Sequence, residues 1–374
     1  MIKNSNIIIT ICSFLIGYGI IILLSASSVY SNYGSSYYVY RQFLWLLISI
    51  IISLFIIKSD YRNFNKFAVI ISIISFLSLI IVLVPGIGKM VNGSWRWIQI
   101  GPLTIQPSEF AKPSILILLS WFLSRNMRKL NQYKYGICIP FIILGLFVIP
   151  ILMEPDYGTT FLISGVSICL MIIAGAPLKP LFTIAGIGVL PISILIINNK
   201  ERMGRILAFL NPEEYQTSSG YQLANSLRAF SEGKIWGVGF GDSMQKHKYL
   251  PEAHTDFIFP IIGEEFGLLI GSFPVVILYV LLFIFGLKVA RNAQDYFGML
   301  LGYGITLMIS SQVIFNLFVV TGMAPTKGIA LPFISYGGSS ILSSMIMISL
   351  LLNISFESEN SSKKNKRLLF KDKK

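Results

Sequence analysis

Polar residues come in short clusters along this chain, and between them lie apolar runs that no soluble core could absorb one after another. Ten runs predict helices over Ile7–Leu24, Phe43–Ile57, Phe67–Val84, Phe110–Leu123, Ile137–Met153, Thr159–Ala174, Leu181–Ile197, Phe266–Leu287, Phe297–Val320 and Ile341–Ile354. A bilayer core takes roughly 17 to 25 helical residues, and shorter runs are accommodated by thinning or snorkelling. Barrel strands need only about 9 to 11 residues. The runs therefore read as helices, which satisfy their own backbone in lipid. The expected fold is an all-α polytopic membrane protein with about ten transmembrane helices. The first run has no small-residue cleavage site, and the polar aromatic stretch SSVYSNYGSSYYVYRQ follows it, so it reads as a retained span.

Two interruptions shape the expected domain, residues 1–356. The first is the long loop 198–256. In it ERMGRILAFLNPEE predicts an interfacial amphipathic helix closed by Asn211-Pro212, and GYQLANSLRAFSEGKIWGVGFGDS a second helix ending in a glycine-rich turn. The loop is too short for a separate catalytic domain and more naturally roofs a cavity over the spans. The second is GMAPTKGIALPFISYGGSS, Gly322–Ser340, whose prolines and glycines forbid a continuous helix. Irregular backbone at membrane depth is tolerated where it lines a cavity or is buried in protein, so a re-entrant outer loop is expected. Residues 357–374 are expected to form a basic cytoplasmic tail.

Composition agrees, with 54% hydrophobic residues and a mean hydropathy of +0.72. Cys12, Cys138 and Cys169 fall in apolar runs at no motif spacing and carry no metal or disulfide signal. Charge is lopsided. Ten spans put both termini on one side, and that side's loops and tail hold 18 of the 30 Lys and Arg but 5 of the 17 acids; the other side holds 12 of each. The basic face is cytoplasmic by the positive-inside rule and suits anionic lipid headgroups, with no nucleic-acid partner implied. Glu109, Glu154, Asp156, Glu252, Asp256, Glu264 and Glu265 gather on or just inside the other face, so any chemistry is expected there. No nucleotide-binding glycine motif is present.

Each polar landmark has a plain reading beside a functional one. Trp95 and Trp97 in GSWRWIQIGPLTIQPSEFAK suit interfacial anchoring. Glu109 and Lys112 stand three apart at the start of a span, either as a structural ion pair or as a contact to lipid phosphate or substrate. In EPDYGTT, Asp156 reads as an N-cap of the next helix or as a site acid. Around the eighth span His254, Asp256, Glu264 and Glu265 cluster, and a partly buried carboxylate there suits a base or proton carrier. GFGD at Gly239–Asp242 matches a protease motif but lacks its transmembrane context, and His247 and His254 form no metal motif.

GSWRWI, QPSEFAK, PDYGT, GYQLANSL, QKHKYLPEAHTDFIF, GEEFG, PTKG and LPFISYGGSS, in that order between ten spans, closely resemble the bacterial SEDS family (shape, elongation, division and sporulation), most like its FtsW-type division branch. The resemblance covers nearly the whole chain. It implies a peptidoglycan glycosyltransferase that polymerises lipid II at the outer face of the cytoplasmic membrane, at the division septum, with undecaprenyl diphosphate as leaving group. It also implies a class B penicillin-binding protein transpeptidase and other division proteins as partners. The family's essential acid maps to Asp256, and Glu109, Lys112 and Asp156 match other important positions. His254 and Ser335 lie in matching motifs and are expected at the substrate. Glu154 departs from the family, where Gln commonly precedes the Pro-Asp, and Ala330 is smaller than usual.

As base, Asp256 deprotonates an acceptor hydroxyl, and positive charge is then needed beside the diphosphate. Lys112, Arg96, Lys327 and Lys246 are the candidates, and a divalent cation, Mg or Mn, is an alternative source of that charge. A lipid II flippase and a non-catalytic division scaffold are the rival readings. A flippase presents polar groups to both faces, whereas here the acids and irregular loops crowd one.

Overall fold

The computed structural model describes residues 3–28, 37–91, 94–101, 103–247 and 249–371. Part of the polar aromatic stretch after the first span, Gly93, Pro102 and Lys248 of the motifs quoted above, and 372–374 of the basic tail lie outside these residues. The apolar runs become α1 (Asn4–Ala26), α2 (Tyr37–Lys58), α3 (Tyr61–Val82), α4 (Pro107–Arg125), α5 (Ile139–Met153, led by a π turn over Lys134–Cys138), α6 (Tyr157–Ala174) and α7 (Leu178–Ile197). In the long loop lie α8 (Lys200–Leu210), capped at Asn211 as expected, and α9 (Tyr221–Gly233). The chain closes with α10 (Ile258–Phe266), α11 (Phe273–Arg291), α12 (Tyr296–Val320) and α13 (Gly338–Lys371).

Among the described residues nine helical segments are long and apolar enough to cross a membrane, and α4 is not one of them. It packs among α3, α5, α6, α12 and α13 and is buried on nearly every face. Being wrapped in protein, it needs no apolar surface for lipid, which is why it can carry Glu109, Lys112 and Pro113.

A three-stranded antiparallel sheet departs from the all-α expectation: β1 (Gly88–Val91), β2 (Ser94–Ile100) and β3 (Leu103–Ile105), in that order. Trp, Ile and Thr favour extended backbone, and Gly101, at φ +59°, turns the chain between β2 and β3.

The eighth span is also reshaped. Helix starts at Ile258 rather than Phe266, and a π turn over Gly267–Ser272 separates this leading helix, α10, from α11, which is long enough to cross alone. Gly267 sits at φ +71°, a conformation glycine adopts freely. Residues 234–239 of the long loop pair backbone to backbone across this break. Glu264 and Glu265 are consequently buried inside α10 rather than standing at its mouth.

The landmarks gather at one end of the bundle. Ser226 of α9 donates to Val320 at the end of α12 (2.6 Å), Arg96 of β2 reaches the α5–α6 turn, and Gln106 meets Ser339. At the other end Tyr61 and Arg62 bond Asp295, and Asn353 of α13 bonds the carbonyls of Ile56 and Ser59. Helix α13 continues without a break through the start of the expected tail to Lys371.

Candidate active site

The site is built on the irregular chain between α12 and α13. Residues 321–337 are not helical, yet Thr326, Ile329, Leu331, Phe333, Ile334 and Ser335 are buried. The segment reaches into the bundle: the backbone of Ile334 lies 2.7 Å from where a side chain at Gly19 would begin, about two turns in from the end of α1. Tyr279 of α11 donates to the carbonyl of Pro332 at 2.5 Å.

This segment and α12 together hold His254, Thr255 and Asp256 by their carbonyls. Tyr336 N–H donates to His254 (3.0 Å), Ser335 Oγ to Thr255 (2.6 Å), and Asn316 Nδ2 of α12 to Asp256 (2.8 Å). Asn316 Nδ2 also donates to Ile329 (2.7 Å), one residue past Gly328. A Cβ on Gly328 would stand 2.5 Å from Asp256 Oδ2, so the glycine leaves room for the carboxylate. Ser335 spends its hydroxyl within the protein, donating to Thr255 and accepting from Leu331 N–H at 2.8 Å. His254 is buried against the ring of Tyr38 (centroids 4.6 Å), and burial keeps its imidazole below its usual pKa.

Burial is the main cause that raises the Asp256 pKa to about 7; the charges of Glu252, Asp156 and Glu109 add to it, and Arg96 opposes. An acid that titrates near neutrality is matched to proton transfer.

Asp156 N-caps α6, accepting from Thr159 N–H (3.1 Å) and Thr159 Oγ1 (2.8 Å), so the capping reading holds, and its charge also reaches Asp256 and Lys327. Arg96 donates to the carbonyls of Glu154 (3.0 Å) and Pro155 (2.6 Å), and Arg202 of α8 donates to Pro155 and stacks 3.9 Å over Tyr157. Glu154 is fully buried, and neither carboxylate oxygen has a partner. Its pKa is pushed up to about 9, by burial first and then by Asp156. Glu154 is therefore a neutral acid at pH 7, close in shape and charge to the family's Gln.

Glu109 and Lys112 form a buried ion pair of 2.7 Å, and Ser343 anchors the Glu109 carbonyl. Lys327 is half-buried; burial lowers its pKa, Arg202 and Arg205 push the same way, and Asp156 opposes them. Lys327 and Arg202 thus stand near Asp156, while Arg205 pairs with Glu201 on its own helix at 2.6 Å.

Lys246 is elsewhere. Its ammonium donates to Ser25 Oγ (2.9 Å), to the carbonyl of Gly241 and to Glu265 (3.2 Å), while Glu264 takes Ser243 Oγ and the N–H of Met244 (2.7 Å). This buried cluster ties the long loop to α1 and α10, and it uses up the charge that sequence reasoning assigned to a diphosphate. Among the described residues no three His, Cys, Asp or Glu gather as a metal-binding set.

Sequence reasoning missed Asn316, Arg202, Arg205 and Gln42. Gln42 of α2 clasps the same segment, donating to Ser335 O and accepting from Gly337 N–H. Gln42 closes the polar aromatic stretch just before a span, and Asn316 is one of two amides, with Gln312, inside an apolar run.

Comparison with known proteins agrees with this architecture. The sequence profile of FtsW, RodA and SpoVE proteins, described as a cell cycle protein, matches residues 5–360. The chain is 37% identical over 345 residues to a probable peptidoglycan glycosyltransferase FtsW of Legionella pneumophila, covering 91% of this chain and 87% of that one. Its identity to the same-named protein of Coxiella burnetii is 38% over 360 residues (94% and 96% covered). To the stage V sporulation protein E of Bacillus subtilis it is 37% over 353 residues (93% and 96%). A chain from a peptidoglycan synthase complex studied for its coordination of polymerization and crosslinking shares the fold, with a TM-score of 0.76 at 24% identity over 94% of this chain and 97% of that one. The rod shape determining protein RodA of Thermus thermophilus does so at 0.70 and 23%, over 94% and 96%.

Proposed function

This chain belongs to the FtsW/RodA/SpoVE family, and from that premise we propose that it is a bacterial membrane peptidoglycan glycosyltransferase, polymerising lipid II with Asp256 as its base. The observation that carries the assignment of the base is Asp256 itself: its main chain is fixed by Asn316, Gly328 leaves room for its carboxyl, and burial raises that carboxyl's pKa to about 7.

In the proposed step the acceptor sugar hydroxyl gives its proton to Asp256, and its oxygen attacks the anomeric carbon of the growing chain. The bond from that carbon to undecaprenyl diphosphate breaks, and the diphosphate leaves with the electron pair. The leaving group is a stable anion, so no second carboxylic acid has to protonate it. Lys327 with Arg202 is the cationic pair that receives it, replacing Lys246 in that role. Glu109, paired with Lys112, acts with Asp156 and Arg96 on the charge around the base, His254 lies beside it, and Ser335 acts as a positioning residue rather than a substrate contact.

The sidedness of the loops supports an extracytoplasmic active face with both termini in the cytoplasm. The FtsW-like motifs support action at the division septum beside a class B penicillin-binding protein and other division proteins. The deciding experiment is lipid II polymerisation by the purified full-length protein with its transpeptidase partner, comparing wild type with Asp256→Asn. Strands from the wild type alone support the base assignment, and strands from both remove Asp256 from the chemistry. Strands from neither return the problem to transport or scaffolding.

A further inference from the structure

Residues Ile235–Phe240, between α9 and the buried Lys246 cluster, take no part in the site. Ile235, Trp236, Val238 and Phe240 all expose their side chains, Trp236 to 67%. Beside them is the π turn Gly267–Ser272, whose Leu268, Leu269 and Ile270 are equally bare. The two are tied through the backbone: Leu268 and Leu269 N–H donate to Lys234 and Ile235 (3.0 and 3.1 Å), and Val238 and Gly239 N–H donate to Glu264 and Glu265 (2.9 and 3.0 Å). Together they make one continuous apolar face.

The depth of that face follows from α11. Its 19 residues, Phe273–Arg291, rise about 28 Å, nearly the roughly 30 Å of a hydrocarbon core. Lys288 and Arg291 mark one boundary, so the π turn stands at the opposite one. Residues 235–240 are pinned at the same level. Non-helical backbone enters apolar surroundings only when its polar groups are paired, and these cross-links supply pairs for the groups that touch the π turn. No ionisable side chain lies between Lys234 and Asp242.

We propose that Ile235–Phe240 is a membrane wedge, seated in the bilayer interface at the active-site end of the bundle, with lipid as its occupant and Trp236 as its anchor. The face is continuous with the lipid-facing surface of a span, and tryptophan is the residue favoured at that depth. The chain that follows grips Glu264 and Glu265 and then leads to Asp256, so lipid contact at the wedge sets the height of the site above the membrane.

The test uses full-length protein in vesicles whose lipids carry nitroxides near the headgroup end of the acyl chain. Subtracting the emission of Trp236→Phe from that of wild type isolates Trp236. Blue-shifted emission that loses about half or more of its intensity to the nitroxide lipids, and little to aqueous iodide, is the expected result. Quenching by iodide alone overturns the proposal. Phe240→Trp in the Trp236→Phe background gives a second reporter with the same expectation. If either position is shielded from iodide only after the transpeptidase is added, the face docks protein and the lipid assignment fails.

Discussion

The side-chain amide of Asn316 donates to the main-chain carbonyl of Asp256 at 2.8 Å, and the same nitrogen donates to Ile329. It thereby fixes the proposed base against the one segment whose glycine leaves it room. Asn316→Leu removes both bonds and leaves two carbonyls unpaired, each costing about 1–3 kcal/mol. The expected outcome is a melting temperature lower by several degrees and polymerisation reduced about 10- to 100-fold, as misplacement of a catalytic group does. Asn316→Ser, which keeps a donor, is expected to recover part of both.

Activity is expected to rise with pH through about 7, where Asp256 ionises. Stability moves the other way. The folded pKa is raised from the ordinary 3.8, so this group makes the fold progressively less stable as pH increases from 3.8 to about 7, and the loss is complete above that. Asp256→Asn is therefore expected to be inactive yet to melt higher than wild type above pH 7, the difference vanishing near pH 4. Paired activity and melting profiles check both signs.

Gly328→Ala places a methyl group 2.5 Å from Asp256 Oδ2. The carboxylate has to turn away, so a loss of about tenfold or more in turnover is expected with little change in melting temperature. Equal loss of fold and activity would show that the glycine serves packing instead.

Glu154→Gln is expected to leave polymerisation within about twofold at pH 7, because the native side chain is already neutral there. Wild type loses stability as pH rises from 4.5 to about 9, and the glutamine variant lacks that contribution. Glu154→Lys buries a full charge and is expected to prevent accumulation of folded protein. Detergent melting curves across pH separate the three.

The spans were legible because apolar runs of bilayer length have few other solutions. Asp256 stands out in the sequence for a related reason: an acid next to such a run is costly, which makes it the candidate base. The sheet at 88–105 escaped notice because its large residues do not alternate cleanly. Lys246 was misplaced because loop charges reveal which end of the bundle a residue occupies, but not which carboxylate it meets there. Asn316 and Gln42 act on partners close in space but remote in sequence, and nothing in a linear pattern of polarity links them.

The wrapping of α4 bears on how the chain is made. Glu109 and Lys112 are tolerated because α12 and α13 help enclose them, yet those two helices are the last to leave the ribosome. Until they arrive, α4 presents a paired charge to lipid or lingers at the insertion machinery. The enclosure of α4 is therefore completed only by the last two spans, which ties the stability of an early, charged helix to the arrival of late ones.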